Sequence, residues 1–338
     1  MIVNSTLATS VRGHCRLNFL GCMMRKYIFV VGLVFMCCGH APSEDVMASA
    51  KQGGNLDLSG VMVFPADNPW NQDISNAEID PNSNAIVASI GLDDNLHPDF
   101  GTVWQGAPNG IPYAVVGSDQ AKVRVTFQYH DESDPGPYPI PSGVPIEGGP
   151  DGTGDRHVIV IDRDNRVLYE LFSAYPQGEV WRAGSGAIFD LTSNDLRPAG
   201  WTSADAAGLP IFPGLVRYDE AVEKGEIGHA LRFTVRKSRR AYVHPARHFA
   251  SSLRDANLPP MGMRVRLKAD YDVSGFPPVA QVILTALKRY GMFVSDNGGD
   301  WFLSGAPDPR WDDAALSTLK AVKGRDFEVV KMGTIVTD

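Results

Sequence analysis

The chain has 338 residues, 43% of them hydrophobic and 21% charged, which excludes a disordered polymer and a polytopic membrane protein. Its formal charge is −8, from 31 basic and 39 acidic residues. Such an acidic balance would repel phosphates, so no nucleic-acid partner is expected.

Residues 27–38, Tyr-Ile-Phe-Val-Val-Gly-Leu-Val-Phe-Met-Cys-Cys, form the longest apolar run. Arg25 and Lys26 precede it and Gly39-His40-Ala41 follows. A basic start, a short apolar stretch and small residues at the cut describe a secretory signal over residues 1–41. Met23 or Met24 makes a more ordinary start for it than Met1. A spanning helix needs about 20 apolar residues, so no transmembrane domain is expected. Val34-Phe35-Met36-Cys37 loosely resembles a lipoprotein box, which adds a lipid-anchored form to the expectation of a secreted or periplasmic protein. All four cysteines (Cys15, Cys22, Cys37, Cys38) precede the expected cut, so the mature chain would carry no disulfide and no thiol nucleophile. Loss of Arg12, Arg16, Arg25 and Lys26 would move the charge from −8 to −12.

Residues 42–60 are polar and glycine-rich and read as a flexible tether to a single mostly-β domain over 61–338. Val123, Val125 and Phe127 alternate with polar residues, predicting a strand. Between Pro135 and Pro150, six prolines predict a stiff extended loop on the surface. His157–Asp162 and Val167–Phe172 flank the turn-rich Arg163–Arg166 and read as a hairpin. Period-2 patterns return at 229–235 and 263–268. Two helices are expected. The first follows Pro277-Pro278 with an apolar stripe through Val279, Ile283 and Leu287 to Gly291 at the C-cap. The second runs from about Asp313 to Lys323. The fold class is therefore mainly β, an antiparallel sandwich or barrel-like body with a few packed α-helices.

Four segments stand out: Phe64–Asn71, Glu132–Pro141, Gly184–Leu191 and Gly200–Glu220. Together they resemble a largely uncharacterised family of exported bacterial proteins that can occur beside carbohydrate-binding modules. The resemblance covers about residues 61–330. It implies export and a glycan setting, and it supplies no catalytic residue.

Candidate chemistry is read from the side chains themselves. Asp205 and Asp219 lie in the last distinctive segment, close to Trp201 and Tyr218, whose rings suit stacking on sugars. Paired carboxyls are the equipment of a glycosidase. Residues 232–268 hold ten basic side chains and one acid, including Arg232 and Arg247, which suggests a cationic cleft for an anionic sugar polymer. Inside that block, Pro245 fits the first position of a short helix, placing His244 at its cap and His248 one turn on, near Tyr242. With His229, these imidazoles suit proton transfer, as in elimination beside a uronate carboxylate. The functional expectation is an exported protein acting on extracellular polysaccharide, as a glycoside hydrolase or a polysaccharide lyase. A non-catalytic glycan- or surface-binding protein is the alternative, and a metal-dependent exported enzyme with histidine ligands is a third. The residues name no cofactor and no complete metal-ligand set.

Overall fold

In the computed structural model, all five residues of Val158–Asp162 are buried, although alternation predicts one wet face. A strand buried on both faces needs a layer on each side. The structure describes residues 47, 50–58 and 60–337; the expected signal segment and the four cysteines lie outside them. Ile159 and Ile161 belong to one core, with Tyr113, Leu168 and Phe189. Val158 and Val160 belong to a second core, with Tyr169 and Leu171. The period-2 pattern thus separates two apolar cores rather than core from water.

The sheet between them runs in the order Gly53–Gly54, Tyr113–Val116, Val158–Asp162, Val167–Phe172, Ser185–Asp190. Its central pair is the hairpin expected around Arg163–Arg166. A three-stranded sheet (Arg124–Phe127, Val180–Ala183, Tyr175–Gln177) adds Val125, Trp181 and Ala183 to the smaller core. A six-stranded sheet supplies much of the larger core, in the order Phe327–Val329, Arg264–Leu267, Met292–Asn297, Leu231–Val235, Phe302–Ser304, His97–Asp99.

The body is mostly β and sandwich-like, as the periodicity predicts, but its sheets are mixed. Tyr113–Val116 runs parallel to Val158–Asp162, and Leu231–Val235 runs parallel to Met292–Asn297. Alternation reports which face a side chain takes and says nothing of a neighbour's direction.

Helix Pro278–Arg289 buries Ala280, Ile283, Leu284, Ala286 and Leu287. It ends where Gly291, at φ 65°, donates its N–H to Ala286 O. The second expected helix is α over Asp313–Ser317 and 3-10 over Thr318–Ala321, with Asp312 capping the Ala314 and Ala315 amides. A third helix, Ser83–Ile90, buries Ile86, Val87 and Ile90. Among the described residues, no helix is long and apolar enough to cross a membrane.

Two expectations need correction. The described part of the 42–60 tether is docked: Met47 and Leu58 are buried, and Gly53–Gly54 adds an edge strand beside Tyr113–Val116. Glycines weaken a helix but let a strand approach closely, so composition misreads this stretch. The proline-rich loop is not purely superficial either, because Tyr138, Ile140 and Val144 fill the smaller core. Tyr138 also exchanges backbone hydrogen bonds with Val123.

Candidate functional site

The unusual sequence of 200–220 is largely a set of buried anchors. Ile211 and Phe212 donate their amides to the Glu170 carboxylate, which projects from the central sheet and is fully buried. Burial pushes the Glu170 pKa up to about 7, although those amides oppose the shift. Ser203 Oγ donates to Leu209 O at 2.5 Å. Gly208 takes φ 70°, where a side chain's Cβ would lie 2.5 Å from Trp201 O. Gly186 also reflects close approach, since a Cβ there would sit 2.5 Å from the Tyr138 hydroxyl. These contacts shape the loop that carries Asp205.

Asp205 is fully buried and faces Arg232, which donates from Nε at 3.0 Å and from Nη2 at 2.8 Å. Arg232 lies on Leu231–Val235, whose register with Met292–Asn297 shifts between Phe233 and Thr234 and sets Thr234 opposite Asp296. Such bulges re-aim side chains. Asp296 shares a hydrogen bond with Asp205. Burial, and then the Asp205 charge, push the Asp296 pKa up to about 7. Burial raises Asp205 as well, while the Arg232 charge opposes it, so the two carboxyls titrate as a coupled pair with the guanidinium on the Asp205 side.

Asp296 opens onto a cleft of about 370 Å³. Its other walls include Glu132, His248, Tyr129, Phe172, Thr202 and Ser203. Glu132 Oε2 accepts from the Thr202 amide at 3.1 Å and lies 4.0 Å from His248 Nε2. His248 Nδ1 is 2.7 Å from Ala206 O, an acceptor, so that nitrogen carries hydrogen and Nε2 is left toward Glu132. A carboxyl that is protonated near neutrality, a second carboxyl and an imidazole therefore share one concavity, which is the equipment of acid–base chemistry.

Behind the cleft wall, His157 Nδ1 lies 2.6 Å from Glu147 Oε2 and Nε2 lies 3.1 Å from Ala204 O. Both partners accept, so both ring nitrogens donate and His157 is a buried imidazolium. Burial alone would lower its pKa, but the Glu147 charge and hydrogen bond raise it to about 9. A raised histidine pKa stabilises the fold fully below the unfolded value near 6.5, and that contribution is lost as pH rises through the folded value. We expect unfolding free energy to fall by about 3 kcal/mol between pH 6.5 and 9.5. Urea titrations across that window check it, and Glu147→Gln should remove most of the slope.

Only part of the sequence-derived site converges. Asp205 and Arg232 stand behind the cleft and His248 lines it. Trp201 lies beside it, with the Arg197 guanidinium 5.6 Å from its ring. Arg247 donates from Nε to Arg197 O. Asp219 belongs to a different cluster: its Oδ2 accepts the Leu58 and Gly60 amides, each at 3.2 Å, and so pins the docked N-terminal segment. Beside it, buried Arg217 has Nη2 2.8 Å from Glu220 Oε1, out of line for a hydrogen bond, and stacks on Phe212. His229 is held between Glu220 Oε2 at 2.9 Å and Ala230 O at 2.8 Å. Tyr218 packs edge-on against Trp311 beneath Arg310. Tyr242 is buried in a short strand paired with Ile335–Val336.

His244 is exposed at a turn that lines a separate hollow, and the expected short helix does not form. The Arg247 and His248 amides both donate to Ala207 O, so tertiary contacts take the donors a helix would use.

The cationic cleft is a second correction. Arg264 is buried and donates to the carbonyls of Tyr290, Pro69 and Gln72, and Arg266 pairs with Glu328. No lysine or arginine is among the described residues lining the cleft. A buried guanidinium is a strong multidentate anchor, and Arg232, Arg264 and Arg266 of the basic block serve that way, while Arg236, Lys237 and Arg254 are exposed.

Asp296, Glu132 and Tyr129 escaped the sequence reading as site residues. Asp296 is preceded by apolar Met292–Val294 and followed by Asn297-Gly298-Gly299, a strand-end position that could have drawn notice. Glu132 opens one of the distinctive segments. Among the described residues, no three side chains of His, Cys, Asp or Glu are grouped as a metal ion would require. No family model, curated protein or solved structure matches the chain.

Proposed function

We propose that this chain is an exported polysaccharide-active enzyme, a glycoside hydrolase in which Asp296 is the proton donor and Glu132 the partner carboxylate. The observation that carries the reading is the Asp296 carboxyl, which burial and the Asp205 charge raise to about 7, on the wall of a cleft that also holds Glu132. Protonation of a leaving glycosidic oxygen needs an acid with such a raised pKa, and the second carboxylate serves water or the anomeric carbon. Asp205 and Arg232 act through Asp296 as positioning residues. His248 Nε2 lies 4.0 Å from Glu132 Oε2 on the same wall.

Hydrolysis is favoured over elimination because elimination beside a uronate carboxylate calls for a fixed cation at the cleft, and no lysine or arginine is among the described residues lining it. Export rests on the sequence of residues 23–41 and the resemblance of the loops. A non-catalytic glycan-binding protein is the second reading, favoured by Tyr129, which is 49% exposed at the cleft and suits ring stacking.

The test is a screen of the purified chain against polysaccharides, reading new reducing ends and ultraviolet-absorbing unsaturated products. New reducing ends without unsaturation are expected. Unsaturated product would replace hydrolysis with elimination, and binding without any product would leave the second reading.

A further inference from the structure

Resting on the polysaccharide reading of the same cleft, we infer that it takes uncharged or amine-bearing sugars and excludes uronate and sulfated ones. Among the described residues, the ionisable groups on its walls are Glu132, Asp296, His248 and the Tyr129 phenol, and no lysine or arginine lines it. Three guanidinia point to other groups: Arg247 donates from Nε to Arg197 O. Arg232 is directed to Asp205 and Ser304, and Arg197 donates to Asp134 Oδ2 at 2.5 Å and to the Glu132 carbonyl at 2.9 Å.

A uronate in this cleft would therefore bring its carboxylate toward Glu132 with no fixed cation to receive it. Like charges a few ångströms apart in a partly desolvated site repel strongly. An ammonium group on the sugar meets the same carboxylate favourably. Tyr129 and Phe172 offer faces to any pyranose ring, charged or not, and small Ala204, Ala206 and Ala250 leave it room. Charge, rather than ring shape, is thus the discriminating feature. None of the ten lysines and arginines of residues 232–268 is among the described residues lining the cleft; that stretch contributes His248 and Ala250.

The experiment compares three probe sets on the full chain: chitosan oligosaccharides, neutral cello- and chito-oligosaccharides, and oligogalacturonates with a sulfated glycosaminoglycan. Binding is measured by calorimetry and cleavage by reducing ends. At low salt, the amine-bearing or neutral probes should bind at least about tenfold tighter than the anionic ones, with the gap narrowing in high salt. Ala250→Lys, at an exposed wall position, should raise affinity for the oligogalacturonate about tenfold, and Thr202→Lys is the second variant. Anionic probes bound or cleaved equally well by the natural chain overturn the charge selection and leave the polysaccharide reading standing. Failure of all three sets to bind or be cleaved removes the polysaccharide reading itself.

Discussion

Asp296→Asn is expected to lower turnover of the preferred glycan by about a hundred- to ten-thousand-fold while the fold is retained. The amide mimics the protonated carboxyl, which prevails below about pH 7, so its N–H still reaches Asp205 and only the transferable proton is lost. Activity of the natural chain should also decline as pH rises through about 7, where Asp296 ionises. Stability provides an independent reading of the same group. A carboxyl whose folded pKa is raised binds more protons in the folded state, so it costs stability as pH climbs from about 4 through the folded value. Asp296→Asn should remove that part of the slope and unfold at higher urea than the natural chain at pH 8. Full activity in the variant would remove Asp296 from the chemistry.

The second large effect is structural. Arg232→Met strands the fully buried Asp205 without its bidentate partner and leaves Ser304 Oγ without the Nη1 donor at 2.5 Å. Removal of one member of a buried ion pair costs about 3–5 kcal/mol, because the remaining charge has neither water nor a counter-ion. Asp205→Asn in the Arg232→Met background should restore a good part of the loss, since a neutral amide needs far less compensation. Urea unfolding of the two single variants and the double variant measures the coupling. A loss below about 1 kcal/mol in Arg232→Met, typical of exposed pairs, would mean that Asp205 is not electrostatically dependent on Arg232.

These two residues mark what could be read from the chain before its fold was known. From sequence, Asp205 reads as a catalytic carboxylate and Arg232 as a substrate cation. They are instead each other's partners, 27 residues apart in sequence. Asp219, chosen as the second carboxylate, holds the N-terminal segment through Leu58 and Gly60. His248 was placed on the right feature for the wrong local reason, since it reaches the cleft from an irregular segment anchored on Ala207 O. Asp296 was missed because nothing in its own neighbourhood signals a raised pKa; Asp205 and the surrounding packing raise it.

Alternation and capping residues determined by themselves the strands at 158–172, 231–235 and 264–267 and the helices beginning at Pro278 and Asp313. These are local properties: side-chain direction along a strand or helix repeats every two or 3.6 residues whatever the neighbours are. The tertiary structure alone decided the mixed strand directions, the second apolar core, the burial of the arginines and the meeting of Asp296, Glu132 and His248. Those outcomes depend on contacts between distant segments and on the low dielectric such contacts create, and a carboxyl's proton affinity follows from that environment rather than from its flanking residues.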